Sequence, residues 1–172
     1  TSLLRASKVH HVAAVQAEYS LSVRSPELGL VQTTGLTDTA LVAFSPVGRG
    51  LLTDTPPSLK RAQSIDFFRE NPRFQEPNLS MNIAQTERFR SFAKDKGISA
   101  ASLAIAWLLN QGEHIIPIPG TRSVSHLKEL VAGANLYLTE DDFAFVDEVL
   151  PVGWAHGDRY SVAQWIGPER YS

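Results

Sequence analysis

Two strand ends hold the residues best suited to chemistry. The first is Ile115-Ile116-Pro117-Ile118-Pro119-Gly120-Thr121-Arg122-Ser123. An apolar run ends in Pro119-Gly120, meets the hydroxyl of Thr121 and the guanidinium of Arg122, and opens a helix at Ser123. Backbone N–H groups at a helix N-terminus attract anions, and Arg122 adds a fixed positive fork, so the segment fits a phosphate site. Taken alone it reads more simply as a strand-to-helix turn with Ser123 as cap and Arg122 in solvent. The second is Phe44-Ser45-Pro46-Val47-Gly48-Arg49-Gly50. Gly48 and Gly50 let a backbone approach a ligand closely, and Arg49 can meet a phosphate. Taken alone this is a flexible loop entrance, and it is neither the P-loop nor the G-x-G-x-x-G pattern.

Other chemistries find less support. Gln16 and Glu18 alternate with apolar neighbours, which puts both on one face of a strand. Near the C-terminal end of a barrel strand one such residue can face a ligand; the simpler reading is structural hydrogen bonding at the rim. His10, His11, His114, His126 and His156 offer no i, i+4 pair on one helix, so no metal site is expected. There is no Cys, which removes disulfides and thiolate chemistry. No G-x-S-x-G nucleophile motif occurs.

These segments need elements to position them. Apolar runs over residues 12–19, 40–45 and 114–119 read as buried strands. The chain between them is too long for hairpins, so crossovers and parallel pairing are expected. Helices are expected over residues 1–10, over 82–96 closed by Gly97, over 100–111 after a Ser99 cap, over 124–132 after Ser123, and from Thr139 to before Pro151. Residues 46–81 read as one long insertion loop, and the tail, residues 152–172, carries Trp154, Tyr160, Trp165 and Tyr171 that should pack against something. The order is α/β. A closed (β/α)8 barrel needs roughly 250 residues, and 172 fit the last three strand–helix units of one better than a complete doubly wound domain.

Composition narrows the classes further. Hydrophobic residues make up 43% and charged residues 20%, ordinary for a globular domain. A net charge of -2 carries no basic footprint for nucleic acid. No apolar run of about 18 residues exists to span a membrane. The sequence opens on Thr1 with no charged-then-apolar leader, so a processed product or an internal start is expected, with a cytoplasmic location.

In order and spacing over nearly the whole chain, the segments resemble the aldo-keto reductase family. The resemblance runs through Leu3-Leu4-Arg5-Ala6, Gln16-Ala17-Glu18-Tyr19-Ser20-Leu21, Val42 to Gly50, Asn71-Pro72-Arg73-Phe74, Leu103 to Leu109 and Ile116 to Arg122. Leu138 to Asp142 and Gly157-Asp158-Arg159-Tyr160 continue it. The Asn-Pro-Arg-Phe and Gly-Thr-Arg pieces are most similar to the microbial and plant branch of pyridoxal reductase-like enzymes.

The resemblance implies the C-terminal part of a (β/α)8 barrel, strands six to eight, as one partial domain over residues 1–172. It implies NADPH as cofactor and an aldehyde or ketone as substrate. Gln16 would hold the nicotinamide carboxamide. Phe44, where many relatives carry Tyr, would stack on the ring. Ser45, Pro46, Val47, Gly48 and Arg49 would line the pyrophosphate. Gly120, Thr121 and Arg122 would meet the 2′-phosphate, with His126, Glu129 and Leu130 near the adenine. His126 and Leu130 stand where many relatives carry Arg and Asn. The family's catalytic Asp, Tyr, Lys and His belong to the first half of the barrel, so no catalytic residue is assigned here. The expected partner is that missing N-terminal barrel segment, or a second copy through self-association. The isolated chain is expected to lack turnover, and the alternatives are a nucleotide-binding interaction module or an inactive fragment.

Overall fold

The computed structural model describes residues 2–165. The expected packing of Tyr171 and the start of the first helix at Thr1 lie outside them. Helix α1 (Ser2–Ser7) leads into strand β1 (Ala14–Glu18). A short 3₁₀ turn (Ser25–Leu28) and helix α2 (Leu30–Leu36) cross over to β2 (Ala40–Phe44). The insertion then carries α3 (Leu59–Gln63), α4 (Asp66–Glu70), a 3₁₀ turn (Pro72–Phe74) and α5 (Asn78–Gln85). Helices α6 (Glu87–Asp95) and α7 (Ala100–Leu109) precede β3 (Ile115–Ile118), and α8 (Val124–Ala134) and α9 (Glu140–Val149) follow it.

The three strands form one parallel sheet in the order β1-β2-β3. Gln16 lies opposite Val42 and Ile116, and Glu18 opposite Phe44 and Ile118. Directly opposed residues in a sheet share a face. So Gln16, Glu18, Val42, Phe44, Ile116 and Ile118 line one side, and Ala17, Leu41, Ala43 and Ile115 the other. Those four residues of the second side are buried against α7 and its neighbours. On the first side Ile116 and Ile118 remain 49% and 43% exposed. The architecture is α/β with parallel crossovers, as the spacing of the apolar runs requires.

Helix α7 explains where the core sits. It reads Ala-Ala-Ser-Leu-Ala-Ile-Ala-Trp-Leu-Leu, apolar on every face, and all but its last residue are buried. Ser99 caps it, the hydroxyl accepting from Ser102 N. Trp107 packs edge-on to Tyr19, 5.9 Å between ring centres, and Arg24 lies over its indole. Tyr19 donates to Glu27, and burial, then that carboxylate, push its phenol well above the usual range.

Two expectations are corrected. Residues 46–81 are not one irregular loop. Four short helical pieces lie wholly within them and α5 starts there, because Leu51, Ala62, Phe74 and Leu79 bury a small core of their own. The helix expected over 82–96 is two helices meeting at Thr86. The Thr86 hydroxyl bonds back to the Asn82 and Ile83 carbonyls, a contact that bends helices. Asn82 meanwhile is tied to the tail through both His156 N and His156 O. The tail packs as its aromatics suggest. Trp154 is buried and donates to Leu21 O, and Tyr160 meets Trp165 at 5.1 Å. No helix among the described residues is long and apolar enough to cross a membrane.

Helix α9 opens on a capping box. Thr139 Oγ1 accepts from Asp142 N, Asp142 Oδ2 accepts from Thr139 N, and Asp142 Oδ1 also takes Lys96 Nζ at 2.6 Å. Burial works to raise this carboxyl, but the Lys96 and Thr139 contacts outweigh it and hold it below its ordinary 3.8. A depressed carboxyl contributes stability above its unfolded value and loses it as pH falls through the folded one. Asp142→Asn should therefore cost about 1 kcal/mol near neutral pH, the ion pair being half in solvent. That gap should close below about pH 4, as urea melts across pH would show.

Candidate cofactor-phosphate cleft

Strands β2 and β3 are neighbours and end level with each other, Phe44 opposite Ile118. Their two exit loops therefore leave the sheet side by side. After β2 the chain turns through left-handed backbone at Ser45 (φ 53), Gly48 (φ 58), Arg49 (φ 55) and Gly50 (φ 98). Hydrogen bonds from Gly48 N to Ser45 O and from Gly50 N to Val47 O hold the turn, and buried Leu51 and Leu52 anchor it. At Gly48 a side chain would meet Ser22 Oγ at 3.0 Å, so glycine is needed there for space as well as conformation.

After β3, Ser123 caps α8 by accepting from His126 N, and Thr121 Oγ1 accepts from Ser123 N. Helix α8 is seated on α7. Ser102 Oγ donates to Glu129 O at 2.7 Å, and Gly133 rests on the Ser102 backbone. A Cβ at Gly133 would stand 2.6 Å from Ser102 O.

Between the two loops lies a cleft of about 1160 Å³. Ser45, Pro46, Val47 and Arg49 form one wall. Gly120, Thr121, Arg122, His126, Glu129 and Leu130 form the facing one. Those ten residues line one cleft. Gln16, Phe44 and Gly48 do not line the cleft. Gln16 and Phe44 stand on the open face of the sheet, and Gly48 is buried beneath its turn. The insertion makes a third wall, with Thr53, Pro57, Arg61 and Phe68. Asp54 fixes that wall by accepting from Ala100 N at the start of α7. The sequence singles out no individual residue of that wall, although an insertion of this length is expected to shape a clasp over the site; its local signal is the Ser58 cap followed by Lys60-Arg61.

Charge is arranged unequally around the cleft. Arg122 is exposed and makes no ion pair among the described residues, so its guanidinium is available to an anion. Arg61 stands likewise on the insertion side. Arg49 is engaged instead. Its Nη2 takes Glu18 Oε2 at 2.9 Å and its Nη1 donates to Arg159 O at 3.0 Å. The free phosphate fork expected of Arg49 is thus partly spent on a carboxylate. The wider cluster is positive. Burial pulls the Arg73 guanidinium down to about 10; Glu18 opposes that, and Arg49 and Arg159 add to it. Burial, then Glu18, push the Tyr160 phenol up.

The model of the Aldo/keto reductase family matches residues 2–151, and the chain belongs to that family. It is 34% identical over 161 residues to aldo-keto reductase str7 of Strobilurus tenacellus, covering 92% of this chain and 48% of that protein. It is 33% identical over 162 residues to aldo-keto reductase yakc [NADP(+)] of Schizosaccharomyces pombe, with the same coverages. The chain thus spans about half the length of the curated relatives it matches. Among solved structures, glycerol dehydrogenase AKR11B4 of Gluconobacter oxydans superposes with a TM-score of 0.66 at 27% identity, over 84% of this chain and 44% of that one. An aldo-keto reductase of Klebsiella pneumoniae in complex with NADPH shares the fold, with a TM-score of 0.63 at 20% identity over 87% and 43%.

The seating of α8 sets the position of the Arg122 wall. Gly133→Ala should cost about 1–3 kcal/mol by forcing α8 off the Ser102 backbone. Gly120→Ala, with nothing within 4 Å of the added methyl, should leave the unfolding free energy within about 1 kcal/mol of the parent. Denaturant melts of the two variants provide the check.

Proposed function

We propose that this chain supplies the cofactor-phosphate side, strands six to eight, of an NADPH-dependent aldo-keto reductase that reduces an aldehyde or ketone to an alcohol. The observation that carries this reading is the exposed Arg122 guanidinium, without an ion pair among the described residues, on one wall of a cleft built from two adjacent strand ends. The donor set suits a dinucleotide. Arg122, Thr121 and the capped N-terminus of α8 offer cationic, hydroxyl and backbone N–H groups to a phosphate ester. The cleft is larger than the roughly 300–1,000 Å³ of pockets for drug-sized molecules, which leaves room for an extended ligand. The Schizosaccharomyces pombe relative carries NADP(+) in its name.

In this reading Arg122 grips the 2′-phosphate and the Ser45–Gly50 turn offers backbone to the pyrophosphate. His126, Glu129 and Leu130 on α8 flank the adenine. Gln16 and Phe44, on the open face of the sheet, take the carboxamide and one face of the nicotinamide ring. The nicotinamide supplies the hydride when bound; these residues orient it. Proton donation to the carbonyl oxygen belongs to the family's tetrad, carried by the first half of a barrel. That half, or a second copy, would cover Ile116 and Ile118. The exposed sheet face also supports a second reading, a nucleotide-binding interaction module without turnover.

Arg122→Ala should weaken NADPH about 10- to 100-fold, the worth of a charge-assisted contact, and leave NADH within about twofold. Fluorescence titration with both cofactors measures this. Equal losses for both would show that Arg122 does not read the 2′-phosphate.

A further inference from the structure

Beneath the tail, guanidinium groups crowd one carboxylate. Glu18 is 2% exposed. Its Oε2 takes Arg49 Nη2 at 2.9 Å and lies 3.8 Å from Arg159 Nη1. Arg49 is held on every side. Its Nη1 donates to Arg159 O at 3.0 Å, and the rings of Phe67 and Tyr160 both lie 4.8 Å from its guanidinium carbon. Asn71 Nδ2 donates to the same Arg159 O, and Arg73 Nε donates to Gly157 O. One side chain therefore joins the end of β1, the turn after β2, the insertion and the tail. Glu18 also lies opposite Phe44 in the sheet, one residue before that turn begins.

An apolar cluster of equal volume would serve stability as well as a buried ion pair. What it would not do is aim. The planar fork of Arg49 reaches Glu18 with one arm and the tail carbonyl with the other, while its own backbone sits at φ 55 in the cleft wall. We propose that Glu18 is a positioning residue: through Arg49 it sets the Ser45–Gly50 turn toward the cleft and locks the tail at residues 157–160. Dinucleotide affinity and tail docking then rise and fall together. This role deepens the cofactor reading above and rests on it.

The test uses Glu18→Gln and Glu18→Asp in the 172-residue chain. NADPH and NADH are titrated by fluorescence, counting sites per chain. Trypsin cleavage after Arg159, a bond held by two side-chain donors, is followed by mass spectrometry. Glu18→Gln should weaken both dinucleotides alike, by about tenfold, and speed cleavage about as much, because the Arg49 and Arg159 guanidinium groups lose their counter-charge. The number of sites should not change, and Glu18→Asp should recover most of both losses. The equal loss separates Glu18 from Arg122, whose effect is confined to NADPH. If Glu18→Gln shows no cooperative melt, Arg49→Lys takes its place; an ammonium keeps the charge but lacks the fork, and the same paired losses are expected. Faster cleavage with unchanged affinity overturns the coupling. Unchanged cleavage overturns the role of Glu18 altogether, as does a loss of sites without a loss of affinity. A parent chain that binds neither dinucleotide overturns the cofactor reading instead, whatever the cleavage rates show.

Discussion

Parallel pairing of β2 with β3 is the constraint on which the site depends. Parallel strands cannot be joined by a hairpin, so the chain must travel far between them and return to the same end of the sheet. Here the detour is the insertion together with α6 and α7. Because Phe44 and Ile118 are level, both exit loops start from one edge, and the cleft forms between them without any special contact. Ligands of open α/β sheets and barrels gather at this C-terminal edge for the same reason. Helix α7 keeps the register in place. Apolar on all sides, it has sheet on one flank and α8 on another, and Gly133 lets α8 come close enough for Ser102 to reach the Glu129 carbonyl.

The insertion and the tail are then consequences of where that edge lies. Residues 46–81 bury Leu51, Ala62, Phe74 and Leu79 as a separate small core, so the third wall of the cleft is packed and not draped. Asn71, Asn82 and Arg73 spend their donors on tail backbone at Arg159, His156 and Gly157. Backbone groups buried in irregular segments need such partners, since each one left unmet costs about as much as a lost hydrogen bond. The price of packing three arginines, two of them buried, near one glutamate is visible in the lowered Arg73 guanidinium.

Much of this was legible in the residues. Alternation and run length located three strands, because a buried parallel strand is nearly continuous Val, Ile, Leu and Ala. Ser99, Gly97, Ser123 and the Thr139–Asp142 pair marked helix ends through local hydrogen bonds that depend on few neighbours. Gly120 and Arg122, singled out at a strand end, stand on the cleft wall, whereas Gly48 lies buried beneath its turn. The short helices of the insertion were not legible, since five residues hold too little of a 3.6-residue period to be read. Nor was the bend at Thr86, which depends on a hydroxyl choosing a carbonyl over solvent. Arg49 is the instructive case. Its sequence neighbours announce a phosphate loop, yet its partner is Glu18, and only the folded chain brings the two together.

That pairing bears on how a positively charged rim can bind an anion at all. A guanidinium with no partner would be mobile, and ordering it on a ligand would cost side-chain entropy of up to about 2 kcal/mol. Arg49 has already lost that freedom to Glu18, Phe67 and Tyr160. What it presents to the cleft is a rigid flank and a turn of left-handed backbone, while exposed Arg122 across the gap makes no ion pair among the described residues. Under the proposed reading, one wall would be organised before a ligand arrives and the other would adapt to it. Binding energy on such a site would come mainly from the adaptable side, where the charge is unspent. The fixed side would decide which length and shape of phosphate ester can reach it.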